Sequence, residues 1–344
     1  MSRPVLRVLR AGLMTTVQDC GRPDCGHLGV PRGGAIDILS HRLANRLVGN
    51  PDSFATLEMT LRGDDFEFLD DAVIAVCGAD MRPELDDRNG RLRAFPVQRP
   101  ISVSRGSVLS FGPAIRGCRT LLAVAGGIDV PELLGSRSTL LRAGWGGFEG
   151  RKLAAGDMLF AGECCDAALA PPKPSYGGIP TWSIRLQPLP GKEPVSLRFV
   201  SGTHWRQLTP NAQQLLSLHS FEVRSESDRM GYRLKGPALE LTNLEQGRLP
   251  SAAVVPGTLQ LPADGQLLLL MTDCAPTGGY PRIGHVITAD LPLAAQLRPG
   301  NQLRLMQVTH NEALKAMQQQ ERDLRTALMM VSDHHETSGR GNAG

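Results

Sequence analysis

Three stretches of this chain carry side chains able to work on a small polar molecule. The first is Gln266–Leu291 (QLLLLMTDCAPTGGYPRIGHVITADL), where an apolar run of strand length enters a loop bearing Asp273, Thr277, Gly278, Gly279, Tyr280 and Arg282. The turn signal Pro262-Ala263-Asp264-Gly265 precedes that run, and His285–Thr288 supplies a second short strand after the loop. Polar groups at a strand end, beside glycines that let backbone approach a ligand, make a pocket on a rigid sheet. The second stretch is Thr15–Arg22 (TTVQDCGR), which offers Gln18, Asp19 and Arg22. The third is Ser227–Leu234 (SDRMGYRL), whose Asp228 and Arg229 point apart in a strand, leaving Arg229 as suited to contact with another protein chain as to a ligand. Asp19 and Asp273 could activate water, with Tyr280 as a third catalytic candidate. Arg22 and Arg282 could clamp an anion, while Gln18, Thr277 and Tyr280 could orient a substrate. Each has a structural alternative: an Asx-turn for Asp19, a surface ion pair for Arg22, a packed ring for Tyr280.

Other motifs narrow the chemistry. The chain has no G-x-x-x-x-G-K-[ST] phosphate loop and no G-x-S-x-G nucleophile elbow. Glycines 144, 146, 147, 150 and 156 could cradle a phosphate through backbone N–H groups, although tight turns between strands are the favoured reading. Cys20, Cys25 and His27 lie close together, but with no fourth ligand nearby and a spacing foreign to zinc sites they read as loop packing, and no metal is expected. Seven cysteines, an odd number without framework spacing, fit a reducing compartment. Aromatic content of 4% and a net charge of +3 without a basic stripe argue against a nucleic-acid partner. No apolar run is long enough for a membrane span and the first residues lack a signal-peptide core, so a cytoplasmic location is expected.

The elements that must position these residues are mostly strands. Val5–Leu9 reads as a strand, followed by a long polar loop from Gly12 to Ala35 and then by a helix from Asp37, its N-cap, to the stop at Gly49-Asn50-Pro51. Between Ala55 and Phe111 short strands alternate with turns, and Asp86–Gly90 (DDRNG) signals a hairpin. No β-α-β rhythm appears, which gives a mainly β fold, closer to a barrel than to a doubly wound sheet, in two β-rich units with few short helices. The expected division is an N-terminal β-rich domain over 1–164, a Pro/Gly-rich linker over 165–194, a C-terminal barrel over 195–310, and a closing helix with a disordered tail over 311–344. Short echoes between Ser40–Leu47 and Ser227–Leu234, and between Thr56–Thr60 and Ala238–Thr242, raise the possibility of two related units.

TTVQDCGR, GAID from Gly34, LANRLVGN from Leu43, AVAGGIDVPELLGSRST (123–139), GRKLAAGD (150–157), SDRMGYRL, PGTLQLPADGQ (256–266) and TGGYPRIGHVITADL (277–291) occur in order along nearly the whole chain. With them the chain resembles the family of allophanate hydrolase subunit 2, also called KipA or the biotin-dependent carboxyltransferase family. The resemblance implies a cyclophilin-like β-barrel architecture. It is strongest to the C subunits of bacterial 5-oxoprolinases and implies ATP-dependent opening of 5-oxo-L-proline, a small cyclic amide, to L-glutamate, together with two other subunits (A and a KipI-like B). Related members imply two alternatives: the carboxyltransferase part of a biotin-dependent urea carboxylase, or a regulator that antagonises a kinase inhibitor. A biotin carrier would have to be a separate chain, since no Met-Lys-Met attachment motif occurs. Relatives carry Gln-Thr-Thr before GGYP where this chain has Ala275-Pro276-Thr277, which removes an amide and a hydroxyl from the expected pocket. The lactam chemistry would use the polar residues named above, and ATP would bind on a partner or at an interface.

Overall fold

The computed structural model describes residues 2–87, 92–163, 183–184, 186–242 and 249–340, with side chains described as far as residue 330. The chain forms two compact units, each discontinuous in sequence. The first takes Met1–Gly21, Asp37–Pro188 and Gln320–Gly344, and the second takes Arg22–Ile36 and Leu189–Gln319.

In the first unit, β1 (Arg3–Arg10), β4 (Asp65–Phe68), β6 (Glu84–Asp86), β7 (Leu92–Ala94), β9 (Val108–Ser110) and β11 (Met158–Ala161) form a sheet in the order β11-β1-β4-β9-β6-β7. A second sheet is built from β2 (Met14–Gln18), β3 (Thr56–Thr60), β5 (Ala72–Asp80), β8 (Ile101–Val103) and β10 (Arg116–Val124), in the order β2-β3-β10-β5-β8. Alternate apolar residues of both sheets, such as Val5, Val8, Phe66 and Phe68 with Leu57, Met59, Ile74 and Leu122, share one core. Phe66 and Phe111 meet there edge to face, 6.3 Å between ring centres. Helix α1 (Ile38–Leu47) is capped by Asp37, whose carboxylate accepts from the Ser40 N–H at 3.0 Å and from its hydroxyl at 2.6 Å.

In the second unit, seven strands close into a barrel: β12 (Val195–Ser201), β13 (Ser220–Val223), β14 (Gly231–Lys235), β16 (Thr258–Gln260), β17 (Leu268–Leu270), β19 (Arg282–Val286) and β20 (Gln302–Gln307). The seam is the parallel pairing of β12 with β20, from Val195 opposite Leu303 to Phe199 opposite Gln307. Inside lie Leu197, Phe199, Phe221, Leu234, Leu259, Leu269, Ile283 and Leu305. Ile36, from the short N-terminal segment of this unit, belongs to the same core. Helix α2 (Pro210–Leu218) starts at Thr209, whose hydroxyl accepts from the Ala212 N–H, with proline in its first turn. The short strands β15 (Ala252–Ala253) and β18 (Thr277–Gly278) pair beside the barrel, α3 (Leu291–Ala295) precedes β20, and α4 (His310–Arg340) follows it.

The mainly β architecture expected from the sequence is present, with four differences of detail. Thr15–Gln18 is not loop but strand β2, paired along β3, because its polar side chains are buried and hydrogen-bonded and so break the usual apolar alternation. The echoing segments are not equivalent: Ser40–Leu47 lies on α1, whereas Ser227–Leu234 is a turn leading into β14, and no strand forms over Ala238–Thr242. Helix α4 continues to Arg340, past the point where a disordered tail was expected. The division between the units also departs from a simple linear partition, since residues 22–36 join the barrel unit. Most of the expected linker, and the tip of the β6–β7 hairpin, lie outside the described residues. Among the described residues, no helix is long and apolar enough to cross a membrane, and no group of three or more His, Cys, Asp or Glu side chains could hold a metal ion.

Candidate functional site

The second unit gathers three of the sequence-selected charges into one buried cluster. Arg229 grips Asp273 with two parallel hydrogen bonds, Nε to Oδ2 at 2.8 Å and Nη2 to Oδ1 at 3.0 Å. Both side chains are almost fully buried. The pairing is set by backbone as well, since the Asp273 N–H donates to the Arg229 carbonyl at 3.0 Å. Arg229 Nη2 also donates to the Gly34 carbonyl at 2.7 Å, which ties the GAID segment to the strand end. Arg22 is equally buried, and its backbone N–H donates to the Arg32 carbonyl at 2.6 Å. A Cβ at Gly33 would lie 3.4 Å from Arg22 Nη1 and 4.0 Å from Asp273 Oδ1, so the guanidinium and the carboxylate both approach the side of Gly33 where a side chain would stand. Gly33 has φ +63°, and its N–H donates to the Thr272 carbonyl at 2.9 Å. Two guanidinium groups around one carboxylate suit an anion or a carbonyl oxygen that gains negative charge.

The Thr277–Arg282 loop is built differently from the expectation that its glycines bare the backbone for a ligand. A Cβ on Gly278 would lie 2.5 Å from Gln260 Nε2, and one on Gly279 would lie 2.8 Å from the Leu249 carbonyl oxygen, so the chain itself fills both places. Thr277 and Gly278 are held in β18, Tyr280 is exposed, and Arg282 Nη1 donates to the Ala253 carbonyl at 3.1 Å. The Arg282 N–H donates to His204 Nδ1 at 3.0 Å. Burial, and then the Arg282 charge, hold that imidazole below its ordinary pKa. Burial pushes the Cys274 thiol up to about 12, with Asp273 adding to the shift.

Gln18 and Asp19 belong to the first unit. The Asp19 carboxylate accepts from the Gly21 N–H at 2.8 Å, the Arg137 N–H at 2.6 Å, the Ser136 hydroxyl at 2.6 Å and the Ser138 hydroxyl. Four donors occupy it, so Asp19 is the hub that pins the Gly135–Thr139 turn onto the end of β2. Gln18 Nε2 donates to the Thr16 hydroxyl at 2.9 Å and to the Thr139 carbonyl at 3.2 Å, inside the same network. The structure thus brings Arg22, Arg229 and Asp273 together, leaves Tyr280 and Arg282 in their own loop, and puts Asp19 to structural use. Sequence reasoning missed Gly33, Gly34 and His204. The paired glycines at the end of a polar loop were the available signal for the first two, and nothing local marked His204.

Residues 28–307 match the family described as carboxyltransferase domain, subdomain A and B. The chain is 37% identical, over 92% of its length and 96% of the relative's, to the 5-oxoprolinase C subunit of Escherichia coli. It is 33% identical to the Haemophilus influenzae protein of the same name, over 92% of the chain and 96% of the relative. Among solved structures, the urea amidolyase of K. lactis superposes with a TM-score of 0.82 at 30% identity, covering 94% of this chain but only 20% of that one. The match runs through both units, the seven-stranded barrel included, and the chain belongs to the carboxyltransferase subdomain A and B family.

Proposed function

We propose that this chain is the C-type subunit of a 5-oxoprolinase complex, acting with two further subunits in the ATP-driven opening of 5-oxo-L-proline to L-glutamate. One observation carries this reading: the match to proteins named as the C subunit of 5-oxoprolinase is collinear over nearly the full length of both partners, whereas the chain corresponds to a fifth of the urea amidolyase. A lactam carbonyl resists water and needs its oxygen activated, which ATP supplies. The residues of this chain would bind and orient. Arg22 and Arg229 would hold the oxygen as it gains charge, Asp273 would lock the fork of Arg229, and Thr277, Tyr280 and Arg282 would offer further polar contacts to the ring. The glycine-rich stretch at 144–150 does not fit a triphosphate, because the cavity it lines carries Asp129, Glu132 and Glu149 and no cation. This supports the reading in which ATP binds on a partner chain or at an interface with one.

The test is to purify the chain with the products of its neighbouring genes and to measure glutamate release that depends on both 5-oxoproline and ATP. Absence of glutamate from an assembled complex overturns the proposal. Arg229→Lys should keep the charge, lose the fork, and lower turnover by about tenfold or more. The likeness to urea amidolyase favours one second reading, a biotin-dependent carboxyltransferase subunit. That reading predicts a requirement for a biotinylated carrier and inhibition by avidin, neither of which a 5-oxoprolinase should show.

A further inference from the structure

A cavity of about 490 Å³ opens on the first unit, walled by residues 129–133, residues 145–150 and strand β11. Its side chains are of two kinds. Trp145, Phe148 and Phe160 present aromatic rings, while Asp129, Glu132 and Glu149 present carboxylates, and no Lys, Arg or His lines it. Glu132 pairs with Arg137 at 3.3 Å, and Glu149 with Arg151 at 2.9 Å, both at the exposed rim. Asp129 makes no ion pair among the described residues, and its N–H is fixed to the Phe160 carbonyl at 2.8 Å. The wall already stacks one guanidinium, since Arg151 lies 4.9 Å from the centre of the Phe148 ring.

Two further observations concern the walls. Glu149 in the wall, and Leu134 next to the wall residue Leu133, both have φ +53°, a left-handed conformation that side chains seldom adopt and that clusters at sites of function. Much of the apolar lining is also open to solvent: Leu133, Met158 and Phe160 are exposed, the last two on β11, the edge strand of its sheet, and exposed Leu134 follows next in the chain after Leu133. A small cation held at Asp129 would occupy only part of about 490 Å³ and leave the apolar lining in water, whereas an extended segment would also cover Met158 and Phe160.

We propose that the cavity docks a partner chain through an arginine or lysine flanked by apolar residues. The cationic head meets Asp129, and its neighbours pack on Met158 and Phe160. The proposal rests on the reading of this chain as a subunit and deepens it by naming the chemistry of the contact.

The probes are two synthetic peptides, acetyl-Gly-Leu-Arg-Leu-Gly-amide and its glutamate counterpart, titrated into the full chain. Binding is followed by the indole N–H resonance of Trp145, assigned with Trp145→Phe. The arginine peptide should shift that resonance saturably and bind at least about tenfold more tightly than the glutamate peptide. Asp129→Asn should weaken it by about fivefold, and Phe160→Ser should weaken it independently. Equal binding of the two peptides, no saturation below about 10 mM, or indifference to both variants overturns the proposal. Butylamine binding as tightly as the peptide would make this a small-cation pocket, and a concentration-dependent dimer lost in Asp129→Lys would make it a self-contact; either result overturns docking of a partner. The readout needs no turnover. Failure of glutamate release with peptide binding intact therefore strikes the functional reading and leaves the docking site standing.

Discussion

Arg229 and Asp273 cannot be removed one at a time without stranding a charge. Arg229→Leu or Asp273→Asn should cost about 3–5 kcal/mol, read as a fall in the urea midpoint, whereas Arg229→Met with Asp273→Leu should cost less than the two single changes summed. A second prediction concerns His41, buried between Thr56 and the Asp52 carbonyl at 2.9 Å from each. Burial lowers its pKa from 6.5 and outweighs the opposing pull of the Asp52 carbonyl and of the charges on Asp19, Asp52 and Glu58. The unfolded chain then binds the extra proton more readily, so the stability that His41 contributes is complete above about 6.5 and is lost as pH falls from there through the lower folded value. His41→Gln should flatten that acid-side loss in denaturation midpoints measured across pH. Much of the cluster was legible: Asp273 at a strand end and Arg22 in a polar loop were both selected. The partner of Arg229 was not, because the nearest carboxylate in sequence is Asp228 and the true one lies 44 residues away. Asp19 was legible only as far as its turn to Gly21, since Ser136 and Ser138 approach from 117 and 119 residues along the chain.

Single elements explain where local signals succeed. Helix α1 was readable because its leucines keep a 3.6-residue period and Asp37 stands in the capping position. The Asp37 carboxylate holds the Ser40 N–H and hydroxyl and accepts from Gln187 Nε2 at 3.2 Å. Asp37→Ala should lower stability by about 1–2 kcal/mol and Asp37→Asn by less, checked by thermal unfolding followed by circular dichroism. Strand β2 marks the opposite case. All of its last four residues are buried, three of them polar, so neither period-two alternation nor an apolar run announces it. Its stability comes from pairing with β3 and from the Asp64 carboxylate, which accepts from the Thr15 hydroxyl at 2.6 Å.

On the scale of the whole molecule, the β-rich composition and the barrel could be anticipated, but the assignment of residues 22–36 to the second unit could not, because no compositional break marks either end of that segment. It gives the barrel unit Ile36 in the core, Gly34 as an acceptor for Arg229, and Arg22 in the charge cluster. A fragment of residues 189–319 should therefore unfold without cooperativity, and fusing residues 22–36 to it should restore a sigmoidal urea transition. The β12–β20 seam has a consequence for synthesis. The barrel joins its first strand to its last, across more than a hundred residues, and the first unit recruits Glu321, paired with Arg42 at 2.9 Å, and the buried Leu324 from α4. Neither unit can finish on the ribosome before residues 303–324 have emerged, so the nascent chain must carry open strand edges until that point of its synthesis.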